Sequence, residues 1–287
     1  MTTVTEFFDM HAAPMRIGTV QLKVRDLDRV ATFYTSALGL LRLSSSDGRV
    51  TLGTATAPLL ELLGDPTLAP NDRRQAGLFH TAFLMPSRAD LARWLAHAVA
   101  TRVPLHGASD HIVSEAIYLA DPEGNGIEVY VDRPISRWHG PAGEIRMSTD
   151  PLDTQALLEA AEGTAWAGFP QDGMIGHVHL QVGDTAEADR FYSGVLGLDI
   201  ATRYPGASFY GSGGYHHQLA GNVWNSRGAD KRSEGTAGLD AVEIIVRDAA
   251  DLTTIAARAE TAGIEISKDD DGLTLHDPWG TAITLAK

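Results

Sequence analysis

Between residues 111 and 128 the chain reads His-Ile-Val-Ser-Glu-Ala-Ile-Tyr-Leu-Ala-Asp-Pro-Glu-Gly-Asn-Gly-Ile-Glu. The segment places a histidine, a tyrosine and a carboxylate on two strands joined by a tight Asp-Pro-x-Gly turn. Side chains alternate along a strand, so Tyr118 and Glu128 can face one cavity from neighbouring strands. A carboxylate aimed into an apolar sheet is costly unless it is paired or binds a metal. His80 and His177, both in strand-like contexts, could complete a metal site with it. The chain has no cysteine, which excludes disulfides, thiolate zinc sites and cysteine nucleophiles. Any metal must be held by His, Asp, Glu or Tyr.

The elements that position these residues come from a chain of 287 residues, 44% of them hydrophobic, long enough for two domains with their own cores. The net charge of -14 and a pI near 5.1 argue against nucleic acid and against anionic membrane faces, which are bound by cationic patches. No apolar run approaches the roughly 20 residues that span a bilayer. The first 14 residues lack the basic start and apolar centre of a signal peptide. A cytoplasmic protein is expected.

The chain repeats itself. Ile17-Gly-Thr-Val-Gln-Leu-Lys-Val-Arg-Asp, followed by Phe33-Tyr34 and Leu38-Gly-Leu, returns as Ile175-Gly-His-Val-His-Leu-Gln-Val-Gly-Asp, with Phe191-Tyr192 and Leu196-Gly-Leu, at a constant offset of 158. Such identity in one register implies a duplicated unit. Between these copies, Gly77-Leu-Phe-His-Thr-Ala-Phe-Leu-Met resembles Gly238-Leu-Asp-Ala-Val-Glu-Ile-Ile-Val. Amphipathic stretches follow each, over 88–100 and 249–262, and Asp121-Pro-Glu-Gly matches Asp277-Pro-Trp-Gly before a last strand. Four βαβββ units result, near 15–66, 77–133, 173–226 and 237–287. Residues 15–133 form an N-terminal domain of two modules, 134–172 a linker with a helix over 153–162, and 173–287 a C-terminal domain of two modules. One such unit leaves a face of its sheet uncovered. Pairing two gives a cupped mixed sheet, with helices outside and a cavity inside. The fold class is α+β.

This fourfold pattern resembles the vicinal oxygen chelate superfamily, which includes glyoxalase I, fosfomycin resistance proteins and extradiol ring-cleaving dioxygenases. The resemblance covers nearly the whole chain after the first 14 residues. The extradiol signature is matched by His111, Ile117-Tyr118, Asp121-Pro122-Glu-Gly124 and Glu128; Ser109 is a mild departure from it. The resemblance implies metal ligands at His80, His177 and Glu128, a two-histidine, one-carboxylate set suited to non-haem Fe(II), with Mn(II) also accepted. The matching positions elsewhere are Thr19, Thr284 and either Asp240 or Ala241, so modules two and three are expected to share the active cup. Many four-unit extradiol enzymes use modules three and four instead.

In Tyr215-His-His217-Gln the resemblance makes His217 an active-site acid/base. It implies that His111 hydrogen-bonds substrate or oxygen-derived atoms and that Tyr118 holds the substrate hydroxylate. His179 faces the same way as His177 and is read as a supporting residue or a false ligand. The expected reaction is that of catechol 2,3-dioxygenases: a small aromatic diol and O2 give a muconic semialdehyde. A glyoxalase-type isomerase would want a second carboxylate at the metal. A metal-free binding or sequestering protein would not need the ligands, and a hydroquinone-cleaving enzyme is not separable on sequence. A homo-oligomer is expected, because this fold class often pairs subunits. Phe33-Tyr34 and Phe191-Tyr192 read as core packing, and His11, His97, His106, His139 and His276 as surface or capping residues.

Overall fold

The computed structural model describes residues 6–268 and 272–287; the first five residues of the N-terminal stretch considered above lie outside them. The first module is β1 (Met15–Val24), α1 (Leu27–Phe33), β2 (Leu41–Ser46), β3 (Arg49–Gly53) and β4 (Pro58–Gly64). The second is β5 (Gly77–Leu84), α2 (Arg88–Ala100), β6 (Leu105–Asp110), β7 (Ser114–Ala120) and β8 (Gly126–Asp132). The connection carries β9 (Asp150–Pro151) and α3 (Thr154–Glu159). The third module is β10 (Met174–Gln181), α4 (Thr185–Ala188), β11 (Asp199–Tyr204), β12 (Ala207–Gly211) and β13 (Leu219–Asn222). The fourth is β14 (Gly238–Val246), α5 (Ala249–Thr261), β15 (Ile266–Lys268), β16 (Gly272–His276) and β17 (Ala282–Ala286).

Among the described residues, each of the α-helices α1–α5 starts at an Asp or Ser whose side chain accepts a backbone N–H of the first turn: Asp26, Ser87, Asp153, Asp184 and Asp248. α3 is shorter than the expected 153–162, because Glu162 adopts a positive φ of 52°. Among the described residues no helix is long and apolar enough to cross a membrane.

The modules pair crosswise. One sheet has the order β15-β16-β17-β14-β1-β4-β3-β2, joining modules four and one. The other has the order β11-β12-β13-β10-β5-β8-β7-β6-β9, joining modules three and two. The seams are the antiparallel pairs β1–β14 and β5–β10. The two sequence halves are therefore interleaved: each sheet takes one module from 15–133 and one from 173–287.

Strand alternation sorts the second sheet into two faces. Phe83, Ile127, Val129, Val178 and Leu180 join the main core, with Phe83 against the Tyr34 ring of the first module. His80, Ala82, Glu128, His177 and His179 take the opposite face, the inside of the cup. Tyr34 and Tyr192 are buried in the core as expected, and Tyr192 also carries a polar role that the repeat does not signal. Tyr192 donates its hydroxyl to Asp277 at 2.7 Å, while Asp277 accepts the N–H groups of Trp279 and Thr281, closing the Asp-Pro turn. Asp121 closes the matching turn through Glu123 and Asn125. That turn is moored to the first module, because the Glu123 carboxylate accepts the N–H groups of Arg25 and Asp26.

Candidate metal centre

His80 on β5, Glu128 on β8 and His177 on β10 converge on one point. The Nε2 atoms of the two histidines are 3.3 Å apart, and Glu128 Oε2 lies 3.0 Å from His80 Nε2 and 3.4 Å from His177 Nε2. These are the only three His, Cys, Asp or Glu side chains among the described residues whose donor atoms gather in this way, all within 4.8 Å of one another. Their triangle has the edge length of one octahedral face, roughly 3.0 Å for donors about 2.1 Å from an ion.

The donor chemistry fits a divalent cation. Burial alone would raise the pKa of Glu128, but His177 and His80 together outweigh it and hold the carboxylate well below its usual range. Burial lowers His177 to about 4, the facing Glu128 opposing only in part. At neutral pH the set is thus an ionised carboxylate with a neutral imidazole at His177, the protonation state that metals require. Two imidazole lone pairs and a carboxylate oxygen packed this closely in a dry sheet are poorly satisfied by one another and well satisfied by a cation.

Local packing explains the placement. The inner face has a continuous row across four strands: Tyr118 pairs with Glu128, Glu128 with Ala82, and Ala82 with His177. The register slips between Ile175 and His177, at Gly176. A Cβ on Gly176 would lie 1.8 Å from the Tyr130 hydroxyl, so only glycine lets that ring pack beside His177. Gly18, its counterpart in the first module, is crowded in the same way by Glu243.

His111 and Tyr118 stand on the wall of the same cavity. Tyr118 and His111 Nε2 are 2.5 Å apart, and His111 Nδ1 is 2.6 Å from the carbonyl oxygen of Ser148. A carbonyl only accepts, so Nδ1 carries the proton and Nε2 accepts from the tyrosine. Burial, then the charge of Glu128, holds the Tyr118 pKa well above the ordinary phenol value.

His217 is buried, with its ring 4.1 Å from that of His177, centre to centre. Its Nδ1 meets His216 Nδ1 at 2.8 Å, and His216 Nε2 meets Asp132 Oδ1 at 2.8 Å. Asp132 forces the proton onto His216 Nε2. With its proton on Nε2, His216 offers the Nδ1 lone pair, so His217 donates from Nδ1 and turns an unprotonated Nε2 to the cavity that it lines. Burial, then His177 and His216, keeps His217 neutral by lowering its pKa well below the ordinary value. Tyr215 also donates to Asp132 at 3.2 Å, and Trp138 packs on His216 at 4.9 Å.

Several wall residues escaped the sequence reading. Met147, Ser148 and Thr149 reach the cavity from the linker, and Phe79, Tyr204, Phe209 and Trp224 complete the wall. Phe79 had a signal, standing beside His80 in the repeated strand; the linker residues had none. His179 also lines the cavity, and its Nε2 has no partner.

The other cup carries different chemistry. Gln21 pairs with Ala241 as His179 pairs with His80, so Ala241 is the counterpart of His80, and Asp240 instead pairs with Lys23. Its carboxylates already have protein partners: Glu61 bonds Arg49 and Gln21, and Glu243 accepts the Thr19 N–H.

Comparison with known proteins agrees with this architecture. The family model for the Glyoxalase/Bleomycin resistance protein/Dioxygenase superfamily matches residues 16–129 and 174–284. The chain belongs to this superfamily. It is a dioxygenase-type enzyme, 37% identical to a protein named catechol-2,3-dioxygenase from Bacillus subtilis (strain 168) over 97% of this chain and 96% of that one. Solved structures share the fold at low identity. A candidate dioxygenase from Bacillus subtilis subsp. subtilis str. 168 aligns with a TM-score of 0.66 at 14% identity, covering 96% of this chain and 85% of that one. Glyoxalase I from Zea mays aligns with a TM-score of 0.58 at 17% identity, covering 95% and 92%.

Proposed function

We propose that the chain is an extradiol dioxygenase that opens a catechol ring beside its vicinal hydroxyls with O2, giving a muconic semialdehyde-type product. His80, Glu128 and His177 hold the metal, Fe(II) in this reading, a set that Mn(II) also accepts. When bound, the ion would bring diol and O2 to adjacent positions and carry electron density between them. One observation carries the reading: three donor atoms 3.0–3.4 Å apart open onto a cavity that also holds the Tyr118–His111 pair and His217. The identity to a protein named catechol-2,3-dioxygenase supports it.

The protein's own groups divide the proton work. A diol oxygen that inserts between Tyr118 and His111 replaces their mutual hydrogen bond, and so meets a freed donor, the phenol O–H, and a freed acceptor, His111 Nε2. It can give its hydrogen bond to the imidazole while accepting one from the tyrosine, which orients it and stabilises negative charge on it. His217 Nε2 faces the cavity with a lone pair. It takes the proton of the second hydroxyl as the diol binds and returns it to an oxygen of the ring-opened product, which keeps all four oxygen atoms. Asp132, acting through His216, keeps His217 in the tautomer able to do this.

The test is anaerobic iron loading, then catechol, then oxygen, with the yellow ring-fission product followed optically and metal content measured on the protein as purified. Iron-dependent colour is expected. A His80→Ala variant that kept both full iron content and full turnover would overturn the reading.

A further inference from the structure

The cavity beside the three donors encloses about 260 Å³. An apolar cavity of about 150 Å³ already accepts benzene, so a bare catechol leaves much of this one unfilled. The additional space is aromatic. Phe79 and Phe209 form walls, and the Phe79 ring stands edge-on to Trp224, with centroids 5.4 Å apart. Trp224 and Tyr204 are each 46% exposed, though both are large and hydrophobic. The Trp224 indole N–H is held by the Pro205 carbonyl at 2.9 Å, so its polar atom is satisfied while much of its ring surface stays open.

Among the described residues, no cationic side chain of the kind that anchors a carboxylate lines the same cavity. Of 23 lysines and arginines in the chain, none is among the residues that line it, whereas Glu128 is. A ring carboxylate would be desolvated beside another carboxylate without a guanidinium or ammonium partner. A neighbouring recess of about 180 Å³ shares Phe79, His80 and Tyr118 and is also lined by Arg73.

We propose that the site selects catechols bearing an uncharged, aryl-sized apolar substituent, packed among Phe79, Phe209 and Trp224, and disfavours catechols bearing a carboxylate. This rests on the ring-cleavage reading for the seat of the diol, but the substituent's seat stands on the cavity walls alone.

Binding separates the two. Isothermal titration of the anaerobic, iron-loaded protein would compare phenylcatechol, catechol and 3,4-dihydroxybenzoate. Phenylcatechol is expected to bind at least about tenfold tighter than catechol, and dihydroxybenzoate at least about tenfold weaker. Trp224→Ala narrows the phenyl advantage, and Trp224→Arg improves dihydroxybenzoate. Arg73→Ala leaves the order unchanged. Dihydroxybenzoate binding as tightly as phenylcatechol would overturn the proposal. So would a phenyl advantage that survived both Trp224→Ala and Phe209→Ala, or a preference that depended on Arg73. If the diols bind in the expected order but oxygen opens no ring, the catalytic reading falls and the substituent's seat stands. If none binds, both fall.

Discussion

Glu128 and His177 stand on either side of Ala82 in one row of the sheet, each its direct register partner. The carboxylate and the imidazole reach toward each other above a methyl group. That side chain is fully buried, and its smallness keeps the space between the donors open.

Ala82→Leu should therefore act on the centre more than on the fold. The added atoms occupy the space above Ala82 and push Glu128 and His177 apart. The expected result is loss of nearly all bound metal, with a stability cost of about 1–3 kcal/mol for overpacking. Metal analysis beside a urea melt checks it. Undiminished metal content would show that the donors do not meet above this residue.

Tyr118→Phe removes the donor to His111 Nε2 while keeping the ring. The diol then loses its phenolic partner, and the imidazole is left to water. Diol affinity should fall about tenfold to hundredfold with iron content unchanged. Anaerobic binding of catechol reads this apart from turnover.

Asp132→Asn should change which nitrogen of His217 carries the proton. Without the carboxylate, His216 is no longer forced to hold its proton at Nε2, and the order imposed on His217 is lost. Nitrogen-15 spectra of the metal-free protein at neutral pH should show His217 protonated at Nδ1 in the parent and mixed tautomers in the variant. Turnover should fall about tenfold or more. Glu in place of Asp132 should restore part of both signals, which a merely structural change would not.

Acid should destabilise the metal-free protein well before ordinary carboxylates titrate. His177 is held near 4 in the fold, against about 6.5 unfolded. Between those values the unfolded chain binds more protons than the folded one, so stability rises with pH and falls as pH drops. From His177 alone the loss between about pH 6.5 and 4 is about 3 kcal/mol. His217 and His179 are shifted the same way by burial, and the depressed Glu128 adds a further loss as pH falls through its own folded value. Urea midpoints at pH 7, 6 and 5 read the slope; a flat profile would contradict it.

Much of this was legible because it is written in short-range pattern. The 158-residue repeat marks the modules, and strand alternation places Tyr118 and Glu128 on one face. Crosswise pairing was inferred indirectly, since only modules two and three hold the three donor types. What escaped depends on contacts between distant segments. Ser148 orients His111 across a linker with no periodic pattern. Asp132 and His216 meet 84 residues apart, under a roof made by Phe8 and Trp138 from outside the modules. In the sequence His216 has no signal beyond being the neighbour of His217, and nothing in the spacing of Asp132 links it to either.

The crosswise pairing has a mechanical corollary. His80 and Glu128 precede the linker and His177 follows it, the two imidazoles lying 97 positions apart along the chain. A cation gripped by all three would act as a clasp fastening the front half of the polypeptide to the back. Stripping it out would remove that clasp and loosen the junction at β5 and β10, and a fragment severed within the linker would keep only part of the grip.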